Sequence, residues 1–136
     1  MRNINKIIIH CSATPEGKAF SVEDIRRWHL QRGFADIGYH FVIYLDGSVN
    51  VGRPLAKAGA HCKGYNAHSI GVCYIGGVAT DGKTPKDTRT EAQKRSLVRL
   101  ITELRQQFHN ASVHGHREFA NKACPSFNAR DEYKDL

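Results

Sequence analysis

Short apolar runs bounded by polar residues predict β-strands in five parts of the chain. The run at residues 6–10 contains three consecutive isoleucines and is too short for a helix. Two of the other runs flank Asp46-Gly47, a dipeptide that favours a tight turn, and are expected to pair as a hairpin. The predicted strands are residues 6–10, 38–44, 49–51, 69–76 and 112–114.

Apolar residues at helical spacing predict two amphipathic helices. The first begins after Ser21, where Asp24 occupies the capping-box position, and His29 is interpreted as a half-buried residue of this helix. The second begins after Thr90, with Gln93 completing a capping box. Its apolar face is expected to be pure scaffold and consists of Leu97, Leu100, Ile101, Leu104 and Phe108.

Strands interleaved with helices predict an α/β fold with a mixed central β-sheet packed by amphipathic helices. The 136 residues fit one domain spanning residues 1–136, which is large enough to bury a core without disulfides. No apolar stretch approaches the length of a membrane span. We therefore expect a single-domain protein without a transmembrane segment.

The chain is basic, with a formal net charge of +7 and an isoelectric point near 9.4. Such a charge favours an anionic partner, and nucleic acid, teichoic acid and anionic cell wall all qualify. The lysines and arginines are scattered and are not interleaved with aromatic residues, as they would be on a surface that stacks bases. Nucleic-acid binding is therefore not expected to be the main function.

The cysteines and the N-terminus indicate an intracellular origin. The four cysteines are spread without a close pair, which predicts free thiols rather than a zinc ribbon or a disulfide scaffold. The N-terminus carries neither the apolar segment nor the cleavage site of a signal peptide. Synthesis in the cytoplasm is expected, so that any export would depend on other factors.

A polar segment at residues 113–127 carries the candidate chemistry. It contains two histidines, His114 and His116, and the thiol of Cys124. Imidazole nitrogen and thiolate are ligands that zinc accepts in a tetrahedron. A further ligand is available in His10, at the end of the first predicted strand, if that strand lies beside residues 112–114. The spacing does not choose between His114 and His116, because both would face one side of an extended strand.

Two other residues near these ligands have predicted orientations. Cys11 follows His10 directly, and because neighbours on a strand point to opposite faces, Cys11 is expected to be structural. Tyr39 begins the hairpin's first strand, on the same face as Phe41 and Ile43, and its phenol could reach a site at the edge of the sheet. Alternatively, Tyr39 serves only in packing, with its ring against the apolar core and its hydroxyl toward water.

Several blocks of the sequence resemble the zinc N-acetylmuramoyl-L-alanine amidases, especially the phage lysozyme-type amidases and the peptidoglycan recognition proteins. The blocks occur in family order between residues 7 and 127 and therefore cover nearly the whole chain. They are IHCSAT (9–14), GYHFVI (38–43), HCKGYN (61–66), SIGV (69–72), GHRE (115–118) and KACPSF (122–127).

The resemblance implies that zinc-bound water attacks the lactyl carbonyl of N-acetylmuramic acid and releases the L-alanine end of the peptidoglycan stem peptide. It selects His10, His116 and Cys124 as the ligands of Zn²⁺ and leaves His114 a supporting role. Non-catalytic members of the fold characteristically lack the cysteine, so the presence of Cys124 favours an enzyme over a binding module.

The resemblance also implies roles around the metal. Tyr39 and Lys122 match the family's active-site tyrosine and lysine. By this resemblance the chain is expected to be an endolysin-like, bacteriolytic hydrolase that acts as a monomer on peptidoglycan and degrades the cell wall after release or delivery. The groove for glycan and peptide would be lined by His61, Lys63 and Asn66.

Overall fold

Seven β-strands and three α-helices make up the chain, and the computed structural model describes all of its residues, 1–136. Short 3-10 turns lie at Asn66–His68 and His116–Glu118. The elements are β1 (Lys6–Cys11), β2 (Thr14–Pro15), α1 (Val22–Gln31), β3 (Phe41–Ile43), β4 (Val49–Val51), β5 (Ser69–Tyr74), β6 (Gly77–Val78), α2 (Glu91–Gln107), β7 (Ser112–Gly115) and α3 (Ala129–Tyr133).

The central sheet has five strands in the order β4-β3-β5-β1-β7. Strands β3, β5, β1 and β7 run parallel, and β4 pairs with β3 as the antiparallel arm of the predicted hairpin. This arrangement confirms the predicted mixed sheet. A second sheet of β2 and β6 was not predicted, because two-residue strands leave no periodic signal. The glycine, threonine, lysine and aspartate of residues 76–88 predict an exposed connection, but the second sheet buries Gly77 and Val78.

Two apolar cores cover the two faces of the sheet. The larger joins the sheet to α2 and α3, and the smaller joins it to α1. Alternation along β1 assigns Ile7, Ile9 and Cys11 to the larger core. His10 instead contacts Tyr39, which packs against the smaller core. The prediction that His10 and Cys11 face opposite sides is thus confirmed.

Both predicted helices begin at the expected caps. Ser21 and Asp24 form a reciprocal capping box at the start of α1, and Thr90 and Gln93 form one at the start of α2. His29 was expected to be half-buried but is only 6% exposed. The chain after α1 folds back over it, and the backbone N–H of Gly38 donates to its Nδ1 at 2.8 Å. None of the helices has the length and apolar character that crossing a membrane requires.

Tyr39 lies before β3 and not within it, so the predicted shared face with Phe41 and Ile43 is wrong. Its carbonyl accepts from Arg53, and the carbonyl of Gly38 accepts from the backbone of Ala60. The chain at residues 38–39 therefore bonds to the loop after β4 instead of continuing the central ladder. Tyr39 consequently packs on the α1 side of the sheet.

Candidate metal centre and active site

The parallel pairing of β1 with β7 brings the candidate ligands to one edge of the sheet. Ile9 lies opposite Gly115, so that the next residues of the two strands, His10 and His116, are neighbours with ring centroids 4.6 Å apart. Cys124 completes the group, its Sγ lying 3.8 Å from Nδ1 of His10. One ligand atom from each of these three residues lies within 4.8 Å of the others.

Contacts from distant elements hold the loop that carries Cys124. The hydroxyl of Tyr74, in β5, donates to the carbonyl of Pro125 at 2.7 Å. The guanidinium of Arg89 lies 3.4 Å from the ring centroid of Phe127 and is nearly buried, paired with carboxylates on both sides. The thiol is therefore presented by a loop that is fixed at both the sheet and the C-terminal helix.

The electrostatic surroundings of the three residues suit a bound cation. Burial and the neighbouring His61 and His116 lower the pKa of His10 well below its usual value, and burial lowers that of His116, so both rings are neutral near pH 7. A hydrogen bond with Cys11 and burial raise the pKa of the Cys124 thiol. The backbone N–H of Cys11 already donates to that sulfur at 3.2 Å. A divalent metal would supply the positive charge that a thiolate needs here.

The donor set fits zinc. Two neutral imidazoles and one thiolate are the soft and borderline ligands that zinc binds, and three protein ligands are the number found in catalytic zinc sites. All four cysteines are free, as predicted, and Cys124 is the one that belongs to the ligand group.

The structure separates the two histidines that spacing left equivalent. β7 ends at Gly115, and a 3-10 turn begins at His116 and directs its ring toward His10. His114 stays on the strand, where Glu118 contacts its Nδ1 at 2.9 Å and Ser112 its Nε2 at 2.7 Å. His114 therefore braces the turn and lies outside the ligand group.

Tyr39 lies beside the ligand group, with its ring centroid 5.0 Å from that of His10 and 5.3 Å from that of His29. Burial raises the pKa of its hydroxyl well above the usual value, so the phenol stays protonated. It borders a small cavity of about 120 Å³ between α1 and the sheet. At neutral pH its hydroxyl is available as a hydrogen-bond donor.

A cleft of about 440 Å³ opens next to the ligand group and includes His116 and Lys122. Lys122 is exposed and makes no ion pair. All three residues that the sequence assigned to the groove, His61, Lys63 and Asn66, line this cleft. A larger depression of about 530 Å³ shares Lys122 but contains none of the three candidate ligands.

The sequence analysis missed three large side chains of the cleft. Arg32 and Phe34 follow α1, and Phe119 follows the 3-10 turn at His116–Glu118. Their identities carry no signal of a site, because exposed arginines and isolated aromatic residues are common on surfaces. The lining contains no aspartate or glutamate, so the cleft is cationic.

His61 and Asn66 also make contacts within the protein. Asn66 Oδ1 accepts from the backbone N–H groups of His61 and Cys62, at 2.9 and 3.0 Å, and so shapes the loop. His61 is 8% exposed, and its Nδ1 lies 2.8 Å from Nε2 of His10. Their assignment to substrate binding stays a prediction.

Comparison with known sequences places this geometry among known enzymes. The profile described as N-acetylmuramoyl-L-alanine amidase matches residues 1–127. The endolysin of Escherichia phage T7 is 44% identical over 124 residues, covering 91% of this chain and 82% of that protein. The endolysin of Klebsiella phage KP32 is 43% identical over 126 residues, covering 93% and 83%.

A solved structure agrees with the sequence comparison. The N-acetylmuramoyl-L-alanine amidase LysC from Clostridium intestinale URNW matches with a TM-score of 0.81 and 29% identity, covering 96% of this chain and 82% of that one. The chain belongs to the N-acetylmuramoyl-L-alanine amidase family.

Proposed function

We propose that the chain is a zinc-dependent hydrolase that cleaves the amide between the lactyl group of N-acetylmuramic acid and the L-alanine of peptidoglycan. The observation that carries the proposal is the convergence of His10, His116 and Cys124 within 4.8 Å beside an open cleft. Membership of the amidase family supplies the reaction type and the class of substrate.

His10, His116 and Cys124 would hold the zinc ion. When bound, zinc supplies a Lewis acid for the substrate carbonyl and lowers the pKa of a water molecule toward neutrality. The two imidazoles contribute neutral lone pairs, because burial disfavours their protonation. The thiolate of Cys124 contributes the only negative charge among the three ligands, which strengthens retention of a divalent cation.

Lys122 is proposed to stabilise negative charge that develops on the carbonyl oxygen during attack. It lines the same cleft as His116 and has no carboxylate partner to neutralise it. A positioned cation acts mainly on charge that is present in the transition state, and therefore lowers the barrier more than it tightens substrate binding.

Tyr39 is proposed to orient the reacting groups as a hydrogen-bond donor. Its raised pKa keeps the hydroxyl proton in place near neutral pH, and its ring packs against that of His10. A neutral phenol there can donate to the attacking water or to the oxygen that gains charge.

The cleft suits an acidic peptide attached to a glycan. His61, Lys63 and Asn66 are proposed to contact the substrate, and the cationic lining with Arg32 favours the carboxylates of a stem peptide. Phe119 offers an apolar surface in the same cleft. The action is proposed to be on cell wall reached by release or delivery, with the protein working as a monomer.

The test is to identify the bond that is cleaved. Purified protein supplied with zinc should convert N-acetylmuramoyl-L-alanyl peptide into two products whose masses together equal the substrate plus one water. One product should carry a new amino terminus on L-alanine, detected by amine labelling and mass spectrometry. Cleavage at a glycosidic bond, cleavage between two amino acids of the stem, or an unchanged substrate would each refute the assignment.

A further inference from the structure

A buried chain of hydrogen-bonding groups extends away from the ligand group through His61. Nε2 of His10 lies 2.8 Å from Nδ1 of His61, and Nε2 of His61 lies 3.2 Å from Oγ of Ser69. All three residues are buried. Both ring nitrogens of His61 are therefore engaged within the protein.

The direction of this chain follows from which nitrogen of His10 faces the metal position. Nδ1 of His10 is the nitrogen near Cys124 Sγ, so Nδ1 must present its lone pair to the metal. A neutral imidazole carries one N–H, which then lies on Nε2 and donates to Nδ1 of His61. In that arrangement the His61 proton would lie on Nε2, from which it would be donated to Oγ of Ser69.

The backbone around His61 leaves its ring little freedom. Gly71 and Gly59 pack directly against the ring: if either were replaced by a residue with a side chain, its Cβ would lie only 2.6 Å (Gly71) or 2.7 Å (Gly59) from a ring atom. Only glycine fits at these two positions. Asn66 fixes the backbone N–H of His61 from the other side. The acceptor offered to His10 is thus held in place before any metal binds.

We infer that His61 is a positioning residue that fixes the tautomer and the orientation of His10 for metal binding. The inference rests on the proposed function, because it assumes that His10 is a zinc ligand. Groups that accept the second N–H of a ligating histidine orient the ring and raise its basicity, and their loss typically weakens metal binding about 10- to 100-fold. This role is distinct from contact with substrate.

The test uses two replacements of nearly equal shape. His61→Asn and His61→Leu leave similar cavities, but only the asparagine can place an oxygen near the former Nδ1 to accept from His10. We expect the dissociation constant for zinc, measured by competition with a chromophoric chelator, to rise about 10- to 100-fold in His61→Leu. The rise in His61→Asn should be clearly smaller.

His40→Asn is the matched control. His40 is another buried imidazole beside His61, but its nitrogens contact the backbone at Gly71 and Lys57 and the guanidinium of Arg2, and not a ligand residue. This variant should unfold at a lower temperature and keep the wild-type dissociation constant. A purely packing role for His61 would likewise change thermal stability without separating its leucine and asparagine variants.

Equal zinc affinities in His61→Leu and His61→Asn would overturn the inference, whether both match the wild type or both are weakened. If neither variant folds, Ser69→Ala tests the inference instead, because it removes only the hydroxyl oxygen that holds Nε2 of His61. Weaker zinc binding in Ser69→Ala would support the positioning role of His61, and unchanged zinc binding would refute it. A wild-type protein that binds no zinc would instead refute the proposed function, so the two failures are distinguishable.

Discussion

Cys124→Ala is expected to lose zinc and amidase activity together. The thiolate is the only anionic group among the three proposed ligands, and the two imidazoles that remain are neutral. Loss of a direct ligand should weaken binding by more than the roughly 10- to 100-fold cost of losing an outer partner. Elemental analysis after gel filtration should therefore find little zinc, and hydrolysis of a muramoyl peptide should fall to background.

Cys73→Ala is the control for the zinc content of Cys124→Ala. Cys73 is a fully buried free thiol on the neighbouring strand β5 and is outside the ligand group. Its variant should retain one zinc per chain even if packing suffers. Full zinc occupancy and normal turnover in Cys124→Ala would remove this residue from the metal centre.

Lys122→Ala is expected to keep its zinc and lose turnover. Lys122 is exposed and unpaired, so its truncation should leave the fold intact. Removal of a group that stabilises developing negative charge typically lowers kcat about 10²- to 10³-fold, equivalent to about 3 to 4 kcal/mol of barrier. The deficit should appear in kcat more than in KM, because the cation acts on transition-state charge.

Lys134→Ala provides the comparison for charge alone. Lys134 is also exposed, but it lies after α3 and outside the cleft. Both variants reduce the net charge equally, so only a local role of Lys122 predicts a difference in kcat. A Lys122→Ala protein with full zinc and unchanged kcat would show that this lysine merely solvates its loop.

The strands and the two long helices were predictable because their causes are local. Apolar runs of strand length identified β1 and β5, and capping boxes located the starts of both long helices. Placing β7 beside β1 then brings the histidine at the end of one strand to the histidine after the other. The family resemblance favoured His116 over His114, and in the structure the strand ends between them, so that His116 and not His114 lies beside His10.

The contacts around the ligands were not predictable because they depend on residues far apart in the chain. His10 and His61 are separated by 51 positions, and nothing local to either residue indicates that their rings meet. Tyr39 was misplaced because residues 38–39 bond to the loop after β4 and β3 begins only at Phe41, and such loop hydrogen bonds have no periodic signature in the sequence. Helix α3 is only five residues long and gives no amphipathic pattern.

Removing the metal from the wild-type protein and restoring it tests the central claim most directly. After treatment with a chelator and confirmation by elemental analysis that the protein is metal-free, hydrolysis of the muramoyl–L-alanine amide should cease. Zinc added at one equivalent should restore it, whereas magnesium should not, because magnesium prefers oxygen ligands to imidazole and thiolate. A protein that is verified as metal-free and still cleaves this amide at the full rate would contradict the account.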